Sequence, residues 1–208
     1  MSSSTRPLFT DILKSIPGFF GIRVDAEPAY HMEGIVGRVE IRRYAPALLA
    51  QVSTDGDHDI AVDAAQGKLT DYIYGDNESR EKMEMTSPTF QTDGESKMFS
   101  VPPPKHGASG GWTVAFFLSN NLDPGEAPLP DDPAISIVES PEMLVATLRY
   151  GGNNTEQQRS IAKRELIQTL SGSMWDLDDQ VYWASYDQPF AIPFLKRNEA
   201  HAPVARSP

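Results

Sequence analysis

The strongest constraint on this chain is that it repeats itself. Residues 135–141 and 144–148 restate the pattern of residues 39–52. Ile41 and Ile137, Ala50 and Ala146, and Gly56 and Gly152 each stand 96 positions apart. In each copy two short apolar strands, joined by a proline turn, lead through a glycine break into a helix. The first helix is expected over 58–74, with Ala61, Ala65, Leu69 and Tyr72 on one stripe. Asp63, Gln66, Gly67 and Thr70 form a second, polar or small stripe suited to the border of a cavity. Thr155 with Gln158 makes a capping box for the second helix, Ala162, Leu166 and Leu170 give its apolar face, and Gly172 ends it. A strand over 181–185 then takes the place that residues 82–90 hold in the first copy.

Two copies of strand–strand–helix–strand predict an α+β fold, a single antiparallel sheet or distorted barrel with two helices packed outside. Closure would remove exposed edges and keep the halves together. At 208 residues the chain suits one β-rich domain. The expected division is an N-terminal amphipathic segment (1–19), one domain (20–200) and a tail (201–208). Phe9, Ile12, Leu13, Ile16, Phe19 and Phe20 give that first segment helical spacing. It suits docking on the barrel or on a partner better than on a membrane, because Lys14 is the basic residue nearby.

A net charge of -11 argues against nucleic acid and anionic membranes, which reward positive patches. No segment approaches the ~20 apolar residues of a membrane span. The lack of cysteine removes disulfides and thiolate chemistry and fits a reducing, cytoplasmic compartment. No Gly-x-Ser-x-Gly elbow is present.

The stretch Lys82-Met83-Glu84-Met85-Thr86-Ser87-Pro88-Thr89-Phe90 reads as a strand, with Met83 and Met85 on one face. Such a pair can fill a core or line an apolar ligand site. Pro88 predicts an edge, an end or a bulge at that point. Met-Thr-x-Pro after Tyr72-Ile73-Tyr74-Gly75-Asp76-Asn77 resembles the SOUL/haem-binding protein family. Four further pieces agree in order: Val39-Glu40-Ile41-Arg42-Arg43-Tyr44-Ala45-Pro46, Leu129-Pro130-Asp131-Asp132-Pro133, Tyr186-Asp187-Gln188-Pro189 and Lys196-Arg197-Asn198-Glu199. The resemblance implies a pseudo-twofold, duplicated, eight-stranded antiparallel distorted barrel flanked by two helices, with haem or another tetrapyrrole as ligand.

It also implies a haem site along the first helix. The residues there are His58, Asp63, Gln66, Gly67, Thr70 and Asp71, with Met83 and Met85 beside them. His58 is the candidate axial iron ligand. No two of His31, His58, His106 and His201 have i, i+4 spacing, and His106 and His201 are expected in solvent. Of Arg42 and Arg43, one faces solvent and the other the barrel. With Lys196 and Arg197 they are cations that propionates would seek. The chain departs from better-known members by carrying Asp63, Gln66, Thr70 and Asp71 where basic residues and methionines are expected. Phe190-Ala191-Ile192 stand where a basic residue follows Tyr-Asp-x-Pro. The expected function is a non-catalytic, loose tetrapyrrole binder. The competing classes are an enzyme for a small apolar substrate in the barrel cleft and a protein-interaction module.

Overall fold

The computed structural model describes residues 26–93, 98, 111–119, 122, 125–187 and 191–207. The expected N-terminal helix and His106 lie outside the described residues. Among the described residues the elements are β1 (Tyr30–Val36), β2 (Val39–Tyr44), β3 (Ala47–Asp55), α1 (His58–Ile73), β4 (Thr89–Thr92) and β5 (Gly111–Phe117). They continue with β6 (Ser136–Ser140), β7 (Met143–Tyr150), α2 (Glu156–Leu170), β8 (Trp175–Leu177), β9 (Tyr182–Ser185) and β10 (Asn198–Arg206).

The strands pair antiparallel in one sheet of order β1-β2-β7-β10-β9-β4-β5-β3-β6, with β8 added to β10. Outward from the β9–β4 pair, one side runs β10, β7, β2 and the other β5, β3, β6. The strands that precede and follow each helix therefore hold corresponding places on the two sides. Among the described residues the expected α+β distorted barrel with two helices forms, but with ten strands rather than eight and without closure. β1 and β6 remain as edges. β1 carries a bulge between Met32 and Gly34, and β6 has five residues and is followed by Pro141, features that discourage pairing between chains.

Alternation along the strands gives the sheet two apolar faces. α2 packs on β2, β7 and β10 over Ile41, Ala146, Leu148, Leu166 and Trp175. α1 packs on β3 and β5 over Ala50, Val52, Leu69, Tyr72, Val114 and Phe116. Leu49, Phe90, Phe117, Val145 and Tyr182 form a third core on the inner face, opposite the helices. Each such large side chain contributes about 1.5–3 kcal/mol on full burial.

The helix ends follow local rules. Gly56 and Gly152, the equivalent positions ahead of the two helices, have φ of 116° and 102°, a conformation a Cβ would strain. The capping box of α2 is complete. Gln158 N–H donates to Thr155 Oγ1 at 3.4 Å, and Thr155 N–H donates to Gln158 Oε1 at 3.0 Å. The N-cap of α1, Asp57, makes no side-chain cap bond. α1 ends in a Schellman motif, with Asp76 N–H donating to Asp71 C=O at 3.0 Å and Gly75 N–H to Tyr72 C=O at 3.2 Å.

Two local expectations need correction. Residues 82–87 are not a ladder strand, and pairing begins at Thr89, after Pro88. This segment is tied down at single points: Met83 N–H donates to Ile73 C=O at 2.9 Å, and Thr86 makes an isolated bridge to Ala26. Alternation is satisfied because Met83 and Met85 face the α1 core while Lys82 and Glu84 face solvent, and that requires no ladder. Second, residues 201–206 continue β10, and His201, expected in solvent, is 1% exposed. Pro203 stands where β10 passes from β9 to β8, so its missing N–H breaks neither of those ladders.

The two caps should differ in energetic weight. Thr155→Ala is expected to lower stability by about 1 kcal/mol. Asp57→Ala should cost less, since only a favourable helix-end charge is lost. Urea denaturation of both variants checks this, and a larger loss for Asp57→Ala would contradict it.

Candidate functional site

The motif pieces scattered along the sequence meet in two places. Asn77 is fully buried and holds the turn after α1, donating to Tyr72 C=O at 3.1 Å and Glu81 C=O at 2.8 Å. The 129–133 piece closes over that turn. Glu78 N–H donates to Leu129 C=O at 2.9 Å, and ion pairs join Arg80 to Asp131 and Lys68 to Asp132, each at 2.5 Å. These residues are taken up in holding the fold.

The second meeting point is a charge cluster on the inner face, centred on the fully buried Glu199 of β10. Arg42, 4% exposed on β2, donates to Glu199 Oε2 at 2.9 Å and to Glu40 Oε2 at 2.6 and 2.8 Å. Arg197 approaches Glu199 Oε1 at 2.8 Å and Glu27 at 3.1 Å, and its guanidinium lies 3.6 Å above the Tyr186 ring. The Tyr186 hydroxyl and His201 Nε2 both donate to Glu199 Oε2 at 2.8 Å. Burial pushes the Glu199 carboxyl up, but His201 and Arg42 outweigh it and hold it well below the usual range. Burial also lowers the pKa of His201, against the raising effect of Glu199. Arg43 alternates outward and pairs with Glu33 and Glu142 at 2.7 and 2.9 Å. Of the expected propionate cations, then, Arg42 and Arg197 face the barrel side. Neither Glu199 nor His201 carried a signal in the sequence that marked it as buried.

Two cavities flank this cluster. One, of about 20 Å³, lies among Tyr44, Phe90, Phe117, Tyr182 and His201. The other, of about 230 Å³, is polar and lies between β1, β2, β7 and β10, with Tyr30, Arg42, Thr147, Arg149 and Arg197 on its walls.

The residues expected to form the haem site lie on the other side of the sheet. Asp63, Gly67 and Asp71 are exposed on α1, and Gln66 and Thr70 are half-buried beside them. Met83 and Met85 pack partly against the α1 core. His58 opens α1 and is drawn inward. Its Nδ1 donates to Asp59 Oδ1 at 2.7 Å, while Nε2 lies 2.9 Å from Gln91 Oε1 and 3.1 Å from a nitrogen of Arg159. The ring stands edge-on to Trp112 at 4.6 Å, and Arg159 lies 5.1 Å above the same indole. Arg159 is 6% exposed and meets no carboxylate at ion-pair distance among the described residues, and burial lowers its pKa. Asn154 and Ser185 extend this polar seam between the helix N-termini and the β4–β9 junction. The structure brings His58 to that seam and leaves the α1 stripe facing solvent. Among the described residues no group of three or more His, Asp or Glu side chains converges to hold a metal ion.

The inner cluster sets a pH dependence. An unfolded His201 takes up a proton near its ordinary 6.5, whereas the folded one resists until lower pH. The unfolded state therefore binds more protons in that window, and stability falls as pH drops through 6.5. Glu199 adds a second loss below its ordinary 4.5, because its folded pKa is lowered. Urea midpoints measured between pH 7.5 and 4 should decline in both windows, and His201→Gln should remove the first decline. A midpoint that rises on acidification from pH 7.5 to 5.5 would contradict this.

The comparisons with known proteins agree with this architecture. A family model described as SOUL heme-binding protein matches residues 26–203. Human heme-binding protein 2 is 29% identical over 167 residues, spanning 78% of this chain and 75% of that protein. Mouse heme-binding protein 1 is 29% identical over 147 residues, spanning 70% and 73%. In fold, the chain is similar to the EcmrR C-terminal domain, with a TM-score of 0.57 at 10% identity over 86% of this chain and 99% of that one. It is likewise similar to an uncharacterized conserved protein from Listeria innocua, with a TM-score of 0.58 at 13% identity over 81% and 92%. The match over 26–203 takes in β1 to β10 and both helices, so the chain belongs to the SOUL heme-binding protein family.

Proposed function

We propose that the protein is a non-catalytic binder of haem or a related tetrapyrrole, held loosely against the outer face of α1. The observation that carries this reading is the strip on that face. Ile60 is 69% exposed and Tyr74 45% exposed, on the same helical face about four turns apart, with Gly67 between them. A Cβ placed on Gly67 would meet nothing within 4 Å, so the backbone there is open to a flat ring. Burial of apolar ring surface on such a strip gives affinity without iron ligation. The inner-face cavities, of about 20 and 230 Å³, are smaller than the roughly 300–1,000 Å³ that drug-sized ligands occupy.

The α1 residues fit a tetrapyrrole as a surface contact and do not fit it as a tight site. Both His58 nitrogens already have close partners, so iron would have to displace Gln91 and Arg159 or Asp59. Asp63 and Asp71 meet propionates with like charge. When bound, haem brings its own redox and ligand chemistry, and this chain contributes an apolar face and a repulsive border. A net charge of -11 supports a reading without a nucleic-acid partner, and the cysteine-free composition supports a reducing, cytoplasmic setting. The mirrored strand order and the paired Gly56 and Gly152 support an origin by internal duplication.

Titration of haem followed through the Soret band tests the reading. Binding should be micromolar or weaker, salt-sensitive and largely without protein ligation, and His58→Ala should leave the Soret shift in place. Asp63→Arg with Asp71→Lys should tighten binding by about tenfold, as repulsion gives way to charge-assisted hydrogen bonds. Submicromolar affinity with a bis-ligated low-spin spectrum would refute loose binding. An unchanged affinity in the double variant would remove α1 from the site.

A further inference from the structure

The inner-face cleft between β1, β2, β7 and β10 belongs to none of this. Four arginines line it, Arg38, Arg42, Arg149 and Arg197, against two carboxylates, Glu40 and Glu199. With Glu165 on Arg38 and Glu27 on Arg197, the four arginines meet four carboxylates, so the cleft is close to neutral in a chain of net charge -11. The two carboxylates are saturated from within, Glu199 by both Arg42 and Arg197 and Glu40 by Arg42. Arg38 reaches away to Glu165 at 2.5 Å, and Arg197 also reaches Glu27. Arg149 remains, exposed, with no carboxylate partner among the described residues. Two residues back on the same face, Thr147 is 1% exposed and its hydroxyl has no hydrogen-bond partner. A buried hydroxyl left without a partner has a cost of about 1–3 kcal/mol unless something supplies the bond.

We propose that this cleft is a binding site for a small organic monocarboxylate with a flat apolar body. Arg149 presents a planar guanidinium fork that no carboxylate among the described residues occupies, and that fork matches the two oxygens of a carboxylate. A phosphate dianion would ask for a second free cation. Thr147, whose buried hydroxyl lacks a hydrogen-bond partner, lies in the wall beside Arg149. Tyr30, 39% exposed and stacked on Arg42 at 4.5 Å, gives the apolar wall for the body of the ligand. The volume of about 230 Å³ admits a single substituted ring and not a tetrapyrrole. The cleft and the α1 strip lie on opposite faces of the sheet.

Benzoate is the probe, with benzamidine as the cationic isostere and inorganic phosphate as the simple anion. In ¹⁵N-labelled full-length protein, benzoate should produce saturable shifts at Tyr30, Thr147 and Arg149, and neither control should match it. Arg149→Gln, an exposed change that leaves the fold intact, should weaken benzoate binding about tenfold, the size expected for one charge-assisted bond. Thr147→Val, of equal shape, should weaken it severalfold with a smaller effect on the far side of the cleft. Haem added to the benzoate complex distinguishes the sources of carboxylate. Unchanged occupancy supports a free acid, and displacement of benzoate by haem overturns the proposal, because the cleft admits no tetrapyrrole. Absent or unsaturable shifts overturn the proposal, as does benzoate binding that Arg149→Gln leaves unchanged or that phosphate matches. Failure of haem to bind α1 would leave the benzoate result untouched, so the two readings fail separately.

Discussion

A single buried carboxylate organises the inner half of this molecule. Glu199 is fully buried, and a charge in that position is tolerable only if every lone pair is met. Arg42 from β2, Arg197 from the turn before β10, Tyr186 after β9 and His201 from β10 meet it together. Such a cluster is poor evidence of net stability, because apolar side chains of the same shape can do as well. It does fix registry. Removing one partner leaves another charge stranded, at about 3–5 kcal/mol, so β2, β9 and β10 have one arrangement that satisfies all members. Three of the five family motif pieces contribute to it, and the other two lock the end of α1.

This convergence explains what could be read in the sequence and what could not. α2 was legible because its signals are local: a capping box at Thr155 and an apolar repeat at Ala162, Leu166 and Leu170. The strands β2, β3, β6 and β7 were legible because each is a short apolar run set off by a proline turn or a glycine break. The methionine segment misled because inside–outside alternation is the same whether an extended chain pairs in a ladder or packs without one. His201 misled because Ala202-Pro203 after it resembles the end of a domain. The neighbours that bury it, Tyr44, Phe90 and Tyr182, come from distant parts of the chain. Openness of the sheet was equally hidden, since closure depends on whether β1 and β6 meet in space, and no local pattern encodes that.

The sheet separates two environments. On its helix face, α1 presents an apolar strip bordered by Asp63 and Asp71, with His58 turned inward to Gln91 and Arg159. On its inner face, four arginines, three of them paired with carboxylates, line a cleft too small for a tetrapyrrole. Family membership alone does not say which face carries the ligand. In the proposed reading the two faces have separate roles, because an acidic border tolerates a weak, largely apolar contact, while the Arg149 guanidinium favours a small acid.

Paramagnetic mapping tests that division most directly. Haem iron broadens amide resonances near it, so substoichiometric haem added to ¹⁵N-labelled protein reports the face it occupies. Broadening should centre on Ile60, Gly67 and Tyr74, with the amides of Arg42, Thr147 and Arg149 left sharp. Broadening centred on Thr147 and Arg149, with α1 unaffected, would contradict the account and put the tetrapyrrole on the inner face.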